Sequence, residues 1–123
     1  EIKTKIEKMI NSINNLTIDV NEPYNENEDI SASKLIIDFL EDVFDSAYDN
    51  FFDLYEIRTA QFGKKVVDKN IIYFIPFSVV TKEGETLVMS GKIKAEAIPF
   101  TAETGAIKKV TIFNIEKAER CLL

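Results

Sequence analysis

Several residue types that commonly carry chemistry at neutral pH are scarce in this 123-residue chain or missing from it. There is no histidine, the commonest general base and metal ligand near pH 7, which argues against zinc and copper sites. The sequence also has no Gly-rich phosphate loop, no serine nucleophile elbow and no metal-binding cysteine pair. We therefore predict no catalytic residue, no cofactor and no metal ligand.

Disulfides and membrane-spanning runs are also missing. The single cysteine, Cys121, can form no internal disulfide, so the chain lacks the framework of a small secreted disulfide scaffold. We interpret Cys121 as an apolar residue near the end of the chain rather than a reactive thiol. No apolar run is long enough to be a transmembrane helix.

Positive charge is in deficit, with 15 Lys and Arg against 21 Asp and Glu and a net charge of -6. Binding to nucleic acid or to an anionic membrane needs clustered Lys and Arg, so we predict no direct nucleic-acid contact. The apolar content of 46%, with nine Phe and four Tyr, is typical of one globular domain with an aromatic-rich core.

The most informative segment, residues 35–55, predicts an amphipathic helix. At about 100° per residue, one side gathers apolar residues, namely Ile36, Phe39, Leu40, Val43, Phe44, Ala47 and Tyr48. The opposite side gathers Asp38, Asp42, Asp45 and Asp49, which we call the acidic stripe. It is a candidate surface for a basic partner or a hard cation, although such a stripe is more often a solvated helix face.

Residues 1–16 predict another helix, which either packs on the domain or continues an upstream stalk. The polar segment 21–29 contains Pro23 and predicts a loop, after which Asp29 or Ser31 caps the long helix. We expect that helix to end at residues 50–52. The predicted organisation is an N-terminal helix at 1–16, one domain at 31–115 and a tail at 116–123.

Strand patterns follow the long helix. Alternating apolar residues predict strands at 55–62, 66–81, 86–98 and 106–115, with turns at 63–64, 82–85 and 101–105. Pro76 should lie at a bulge or an unpaired edge position, and the small Gly91 across the hairpin favours a strong bend. The order of elements predicts an α+β fold, with N-terminal helices packed in the concave face of a strongly curved antiparallel sheet.

An enzymatic interpretation is also open. A cone lined by Tyr48, Tyr55 and Tyr73, with an acid such as Asp53, could abstract a proton by using the carboxylate as base. Tyrosines at such positions more often serve packing.

Three segments carry a resemblance to a known family. They are 35–44 (LIIDFLEDVF), the turn 82–85 (KEGE), and 97–100 (AIPF) followed by 106–115. In these features residues 31–115 resemble the nuclear-transport-factor-2-like (cystatin-like cone) fold. They are similar to the extracytoplasmic domain of the VirB-eight-type scaffold subunit of type IV secretion systems, in the form carried by Gram-positive conjugative plasmids, such as the TraM-like transfer proteins.

The resemblance implies a bitopic envelope protein with a transmembrane helix upstream, and a domain outside the cytoplasmic membrane. It implies no catalysis, but a scaffold that forms homo-oligomers and contacts other subunits of a DNA-transfer channel. The same fold superfamily also hosts small-molecule-binding and isomerase-like domains, which is the alternative function. An adhesion or receptor fragment is a third.

Overall fold

The computed structural model describes residues 5–118, so Cys121 lies outside the described residues. Three helices occupy Lys5–Ile13 (α1), Ala32–Ala47 (α2) and Phe51–Leu54 (α3). Six strands occupy Thr17–Asn25 (β1), Tyr55–Thr59 (β2), Gly63–Val67 (β3), Asn70–Thr81 (β4), Leu87–Pro99 (β5) and Thr104–Lys117 (β6).

The six strands form one strongly curled antiparallel sheet, a half-barrel, with the strand order β1-β6-β5-β4-β2. Strand β3 pairs with the first half of β4, and β2 pairs with its second half. Every pairing between these strands is antiparallel. The α+β class and the curved antiparallel sheet predicted from the sequence are therefore confirmed.

Helix α2 lies against the concave face of the sheet and supplies much of the core. Ile36, Leu40 and Phe44 recur at helical spacing and are almost fully buried. The ring of Phe44 packs edge-on against Phe77 of β4, with 5.8 Å between centroids, and lies 4.9 Å from Phe51. Complete burial of one such side chain contributes about 1.5–3 kcal/mol to folding, so this helix face holds the domain together.

Both ends of α2 have identifiable causes. Ser31 is the N-cap, and its hydroxyl accepts a hydrogen bond from Lys34 N at 3.2 Å. The helix ends at Ala47, three residues before the predicted range, because Tyr48 adopts an extended backbone; Asn50, with a left-handed φ of 59°, then precedes α3. The chain then restarts as α3 in a new phase, which turns Phe51 into the core.

The prediction of a loop at 21–29 was wrong over its first half, because β1 extends through residue 25. A register shift between Asp19 and Glu22 and the presence of Pro23 interrupt the alternating pattern that would have indicated a strand. Proline is tolerated here because β1 is an edge strand, and only residues 26–29 form the turn.

The predicted division at 1–16, 31–115 and 116–123 separates residues that share one core. Met9 and Ile13 of α1 are buried in the same cluster as α2 and the sheet. Strand β1 lies outside the range 31–115, and β6 continues to Lys117, whose Nζ donates to Glu7 Oε2 of α1 at 3.2 Å.

The turn predicted at Gly63 and Lys64 was also wrong, since both residues belong to β3. The chain reverses instead at Asp68 and Lys69, which adopt positive φ values of 50° and 71°. Two consecutive left-handed residues match the twist of a tight hairpin; Asp is common at the first of these positions, but the second is usually Gly, so Lys69 removes the usual signal of this turn. The turn predicted at 82–85 is present, and the turn predicted at 101–105 is shorter than expected, because Thr104 and Gly105 already belong to β6.

Pro76 lies where the prediction placed it, at a position without a ladder partner on one side. Strand β2 ends opposite Phe77 and β3 begins opposite Phe74, so Pro76 faces the gap between them. Its carbonyl accepts a hydrogen bond from Ala60 N at 2.9 Å. The missing N–H therefore costs no strand pairing.

Gly91 pairs with Phe77 and leaves room for its ring. A Cβ at position 91 would lie 2.8 Å from Phe77 Cζ and 3.1 Å from Ile115 Cγ1. Both neighbours are buried, so neither can move away freely. Because Gly91 has no side chain, Phe77 can lie over it and pack against Phe44 of α2.

We predict that Gly91→Ala lowers the free energy of unfolding by about 1–3 kcal/mol, because overpacking displaces buried rings. Urea denaturation followed by circular dichroism measures the change. Gly63→Ala is the matched control: nothing lies within 4 Å of its Cβ, so its effect should stay below about 1 kcal/mol. Equal effects of the two substitutions would contradict this account of the core.

Candidate functional site: the acidic stripe and an apolar groove

The four aspartates of the acidic stripe are all exposed, but they do not form one continuous surface. Asp38, Asp42 and Asp45 lie on α2, whereas Asp49 follows the end of the helix. Asp38 and Asp42 line a groove beside β1, and Asp49 lines a separate recess with Lys5 and Lys8 of α1. The sequence therefore predicted the exposed acids but not their division between two sites.

The groove beside β1, which we call the α2–β1 groove, has apolar walls and an acidic rim. One part has a volume of about 220 Å³ and is lined by Val20, Glu22, Leu35, Ile36, Asp38, Phe39, Asp42, Ile107 and Val110. A second part, of about 370 Å³, continues from Phe39 and Asp42 along Leu16, Ile18, Val43 and Ala47. Both parts share Phe39 and Asp42, so the groove runs along much of α2. The groove was not predicted from the sequence, because residues 21–29 were assigned to a loop and β1, which forms one wall, was not recognised as a strand.

Strand β1, which forms one wall of the groove, is also one free edge of the sheet. It carries Asp19 and Glu22 on its exposed surface. Two lysines of the neighbouring strand lie close by: Lys109 is opposite Asp19, and Lys108 Nζ donates to Asn21 Oδ1 at 2.7 Å. With Asp38 and Asp42 of α2, four carboxylates lie along this edge and two ammonium groups lie near it, so the edge is acidic.

The opposite part of the sheet has a basic edge. All five residues of β3 are exposed, and they include Lys64 and Lys65. Lys69 extends this charge into the turn, where Asp68 opposes it. The side chain of Val66 is 68% exposed, which is high for a β-branched apolar residue in a strand.

The residues of the enzymatic interpretation are not brought together. Tyr48 and Tyr55 contact each other at one end of the core, with 5.8 Å between ring centroids. Tyr55 pairs with Thr81 of β4, whereas Tyr73 lies eight residues earlier on the same strand, about 26 Å away. Asp53 is exposed on α3. Among residues 5–118 the buried side chains are apolar or tyrosine, so no carboxylate there is buried beside a phenol.

Tyr73 instead belongs to a packed tyrosine pair. Its ring meets that of Tyr24 edge-on, with 6.5 Å between centroids, and both residues are buried. Burial, and then a hydrogen bond shared with Tyr24, raise the pKa of the Tyr73 phenol above its ordinary value. The phenol therefore stays protonated at physiological pH, as expected of a packing residue.

The acidic residues of α2 lie close enough to one another to affect the pKa of Glu41. Partial burial, followed by repulsion from Asp38 and Asp42, raises the pKa of Glu41 above its ordinary value. The carboxylates do not converge on a cation site: in the stretch from Lys5 to Ala118, no group of three or more acidic or cysteine side chains is placed to hold a metal ion.

The sequence matches no protein-family model, and comparison with curated proteins and with solved structures gives no significant match either. The structure itself defines the fold class, an α+β domain with a curled antiparallel half-barrel sheet and a few helices. No helix in the described part of the chain has the length and apolar character needed to span a bilayer.

We predict that Glu41→Gln stabilises the domain at pH 7 by a few tenths of a kcal/mol, because it removes a partly buried charge that Asp38 and Asp42 also repel. A raised folded-state pKa means that the folded protein binds more protons than the unfolded one, so Glu41 lowers stability as pH rises through that pKa. The gain should therefore vanish below the ordinary carboxyl pKa. Thermal melts from pH 3 to 8 at low salt test this. Glu28→Gln, an exposed acid in the β1–α2 turn, is the control, and an equal gain from it would contradict the assignment.

Proposed function

We propose that this domain is a non-enzymatic assembly module, a scaffold that acts by self-association and by contacts with other protein subunits. The observation that carries this proposal is the filled concave side of the sheet. Met9, Ile13, Ile36, Leu40, Phe44 and Phe51 occupy the space in which a ligand pocket of such a cone would lie. The apolar and charged side chains that a partner would contact lie instead on the outside, in the α2–β1 groove and along the two sheet edges.

The setting we propose follows from the sequence resemblance to VirB-eight-type scaffold subunits. In this proposal the domain belongs to a conjugative type IV secretion channel of a Gram-positive host and lies on the extracytoplasmic side of the cytoplasmic membrane. A transmembrane helix upstream of the segment anchors it, and its partners are further copies and other channel subunits. The nuclear-transport-factor-2-like fold belongs to the same proposal, and the curled sheet around α2 supports it.

The acidic stripe is the surface that we expect to face partners. Replacing Asp38, Asp42, Asp45 and Asp49 together by Asn keeps side-chain shape and removes four charges. We expect partner binding to weaken by roughly tenfold, which corresponds to about 1.4 kcal/mol. Conjugative DNA transfer and co-purification of channel subunits from cells that carry the variant measure the effect.

The matched control neutralises four exposed acids in turns, Glu28→Gln, Asp29→Asn, Glu83→Gln and Glu103→Gln. Circular dichroism should show that both fourfold variants fold. If the stripe variant folds and supports transfer and channel assembly at the level of the control, the proposed function is wrong.

A further inference from the structure

The two free edges of the curled sheet carry opposite charge. On the β1 edge, Glu22 lines the α2–β1 groove with Asp38 and Asp42, and Asp19 lies on the same strand, with Lys108 and Lys109 as the nearby bases. On the β3 edge, Lys64, Lys65 and Lys69 outnumber Asp68. In a chain with a net charge of -6, this separation of charge between the two ends of one sheet is a specific feature.

We propose that β3 of one copy docks against the β1 edge and the α2–β1 groove of a second copy, which joins the molecules head to tail. This inference rests on the proposed assembly function and specifies the surface through which the domain self-associates. It goes beyond the acidic stripe, because it identifies the occupant of the groove as the basic hairpin, by which we mean β3 with Lys64 and Lys65 and the turn with Lys69.

The side chains of β3 suit the groove in both shape and charge. Lys64 pairs with Tyr73, and Val66 pairs with Ile71, so these two residues lie on the same face of β3 as the core. They are about 7 Å apart along the strand. If β3 extends a neighbouring sheet, this face turns toward the neighbour's α2, where Val66 meets Leu35 and Phe39 and Lys64 meets Asp38 or Asp42. Docking would cover the 68% exposed Val66.

The edge charges also select against the symmetric alternatives. Pairing β1 with β1 would bring Asp19 and Glu22 of two copies together, and pairing β3 with β3 would bring lysines together. Like charges that face each other across strands are destabilising, and charged edges commonly prevent sheet association. The mixed pairing is the arrangement in which opposite charges meet. Because it is heterologous, it generates a ring if the rotation closes and a filament if it does not.

The test is a charge swap measured in the purified 123-residue chain. One variant carries Lys64→Glu and Lys65→Glu, which makes β3 acidic. The other carries Asp38→Lys and Asp42→Lys, which makes the groove basic. Sedimentation velocity over a concentration series at low and at physiological salt reports self-association.

We expect the wild-type chain to associate more weakly as salt rises, and each variant alone to show a dissociation constant raised by about tenfold or more. An equimolar mixture of the two variants should recover association, because both edges then meet an opposite charge. The control for the first variant is Lys82→Glu with Lys92→Glu, which makes the same charge change at exposed positions away from both edges and should associate like the wild type.

Three results would overturn the inference: a wild-type chain that is monomeric at millimolar concentration, folded single variants that associate like the wild type, or a mixture that fails to recover association. None of these results would refute the contacts with other channel subunits in the proposed function, which DNA transfer and co-purification test separately. Conversely, if the stripe variant supported transfer and channel assembly and so contradicted the proposed function, the charge-swap result would still hold.

Discussion

The packing of one helix face into the hollow of the sheet is the constraint on which the rest of the structure depends. Phe44 lies between Phe51 and Phe77, and these rings can approach because Gly91 has no side chain. A flat sheet could not enclose α2 on several sides, so the bend in the β4–β5 hairpin and the burial of α2 require each other. Asn50 serves the same packing, since its left-handed backbone turns Phe51 inward.

Because the interior of the sheet is filled by side chains, the surfaces available to a partner lie on the outside of the domain. The side chains that could select a partner are at the ends of the sheet and along the flank of α2, where apolar and charged atoms are both accessible. Fold superfamilies host many functions, and the fold alone does not choose among them. In this chain the charge difference between β1 and β3 is the most specific surface property, and it arises from short segments that contribute little to the core.

Local periodicity predicted the parts of the structure in which each residue's environment repeats regularly. The apolar face of α2 follows from helical spacing, and the strand at β5, in which every second residue from Met89 to Ala97 is buried, follows from alternation. Strand β1 was missed because Pro23 and a register shift interrupt its pattern. Strand β3 was missed because its turn has Lys69 at a left-handed position that is usually Gly.

The candidate site was harder to predict than the fold, for a physical reason. The groove exists because β1 pairs with β6, as in the contact between Thr17 and Thr111, which lie 94 residues apart. No local pattern reports such a pairing. The aspartates were visible as a helical repeat, but which of them line the groove depends on where α2 ends and on which strand runs beside it.

The ion pair between Glu7 and Lys117 has a further implication for the path of the chain. The first turn of α1 and the end of β6 therefore lie side by side. Lys117 pairs with Met89, which in turn pairs with Val79, and Val79 is seven residues along β4 from Ile72, the partner of Lys65. The place where α1 meets the end of β6 therefore lies toward the far end of β4 from the turn at Asp68 and Lys69, about 23 Å along that strand, so α1 does not cover β3.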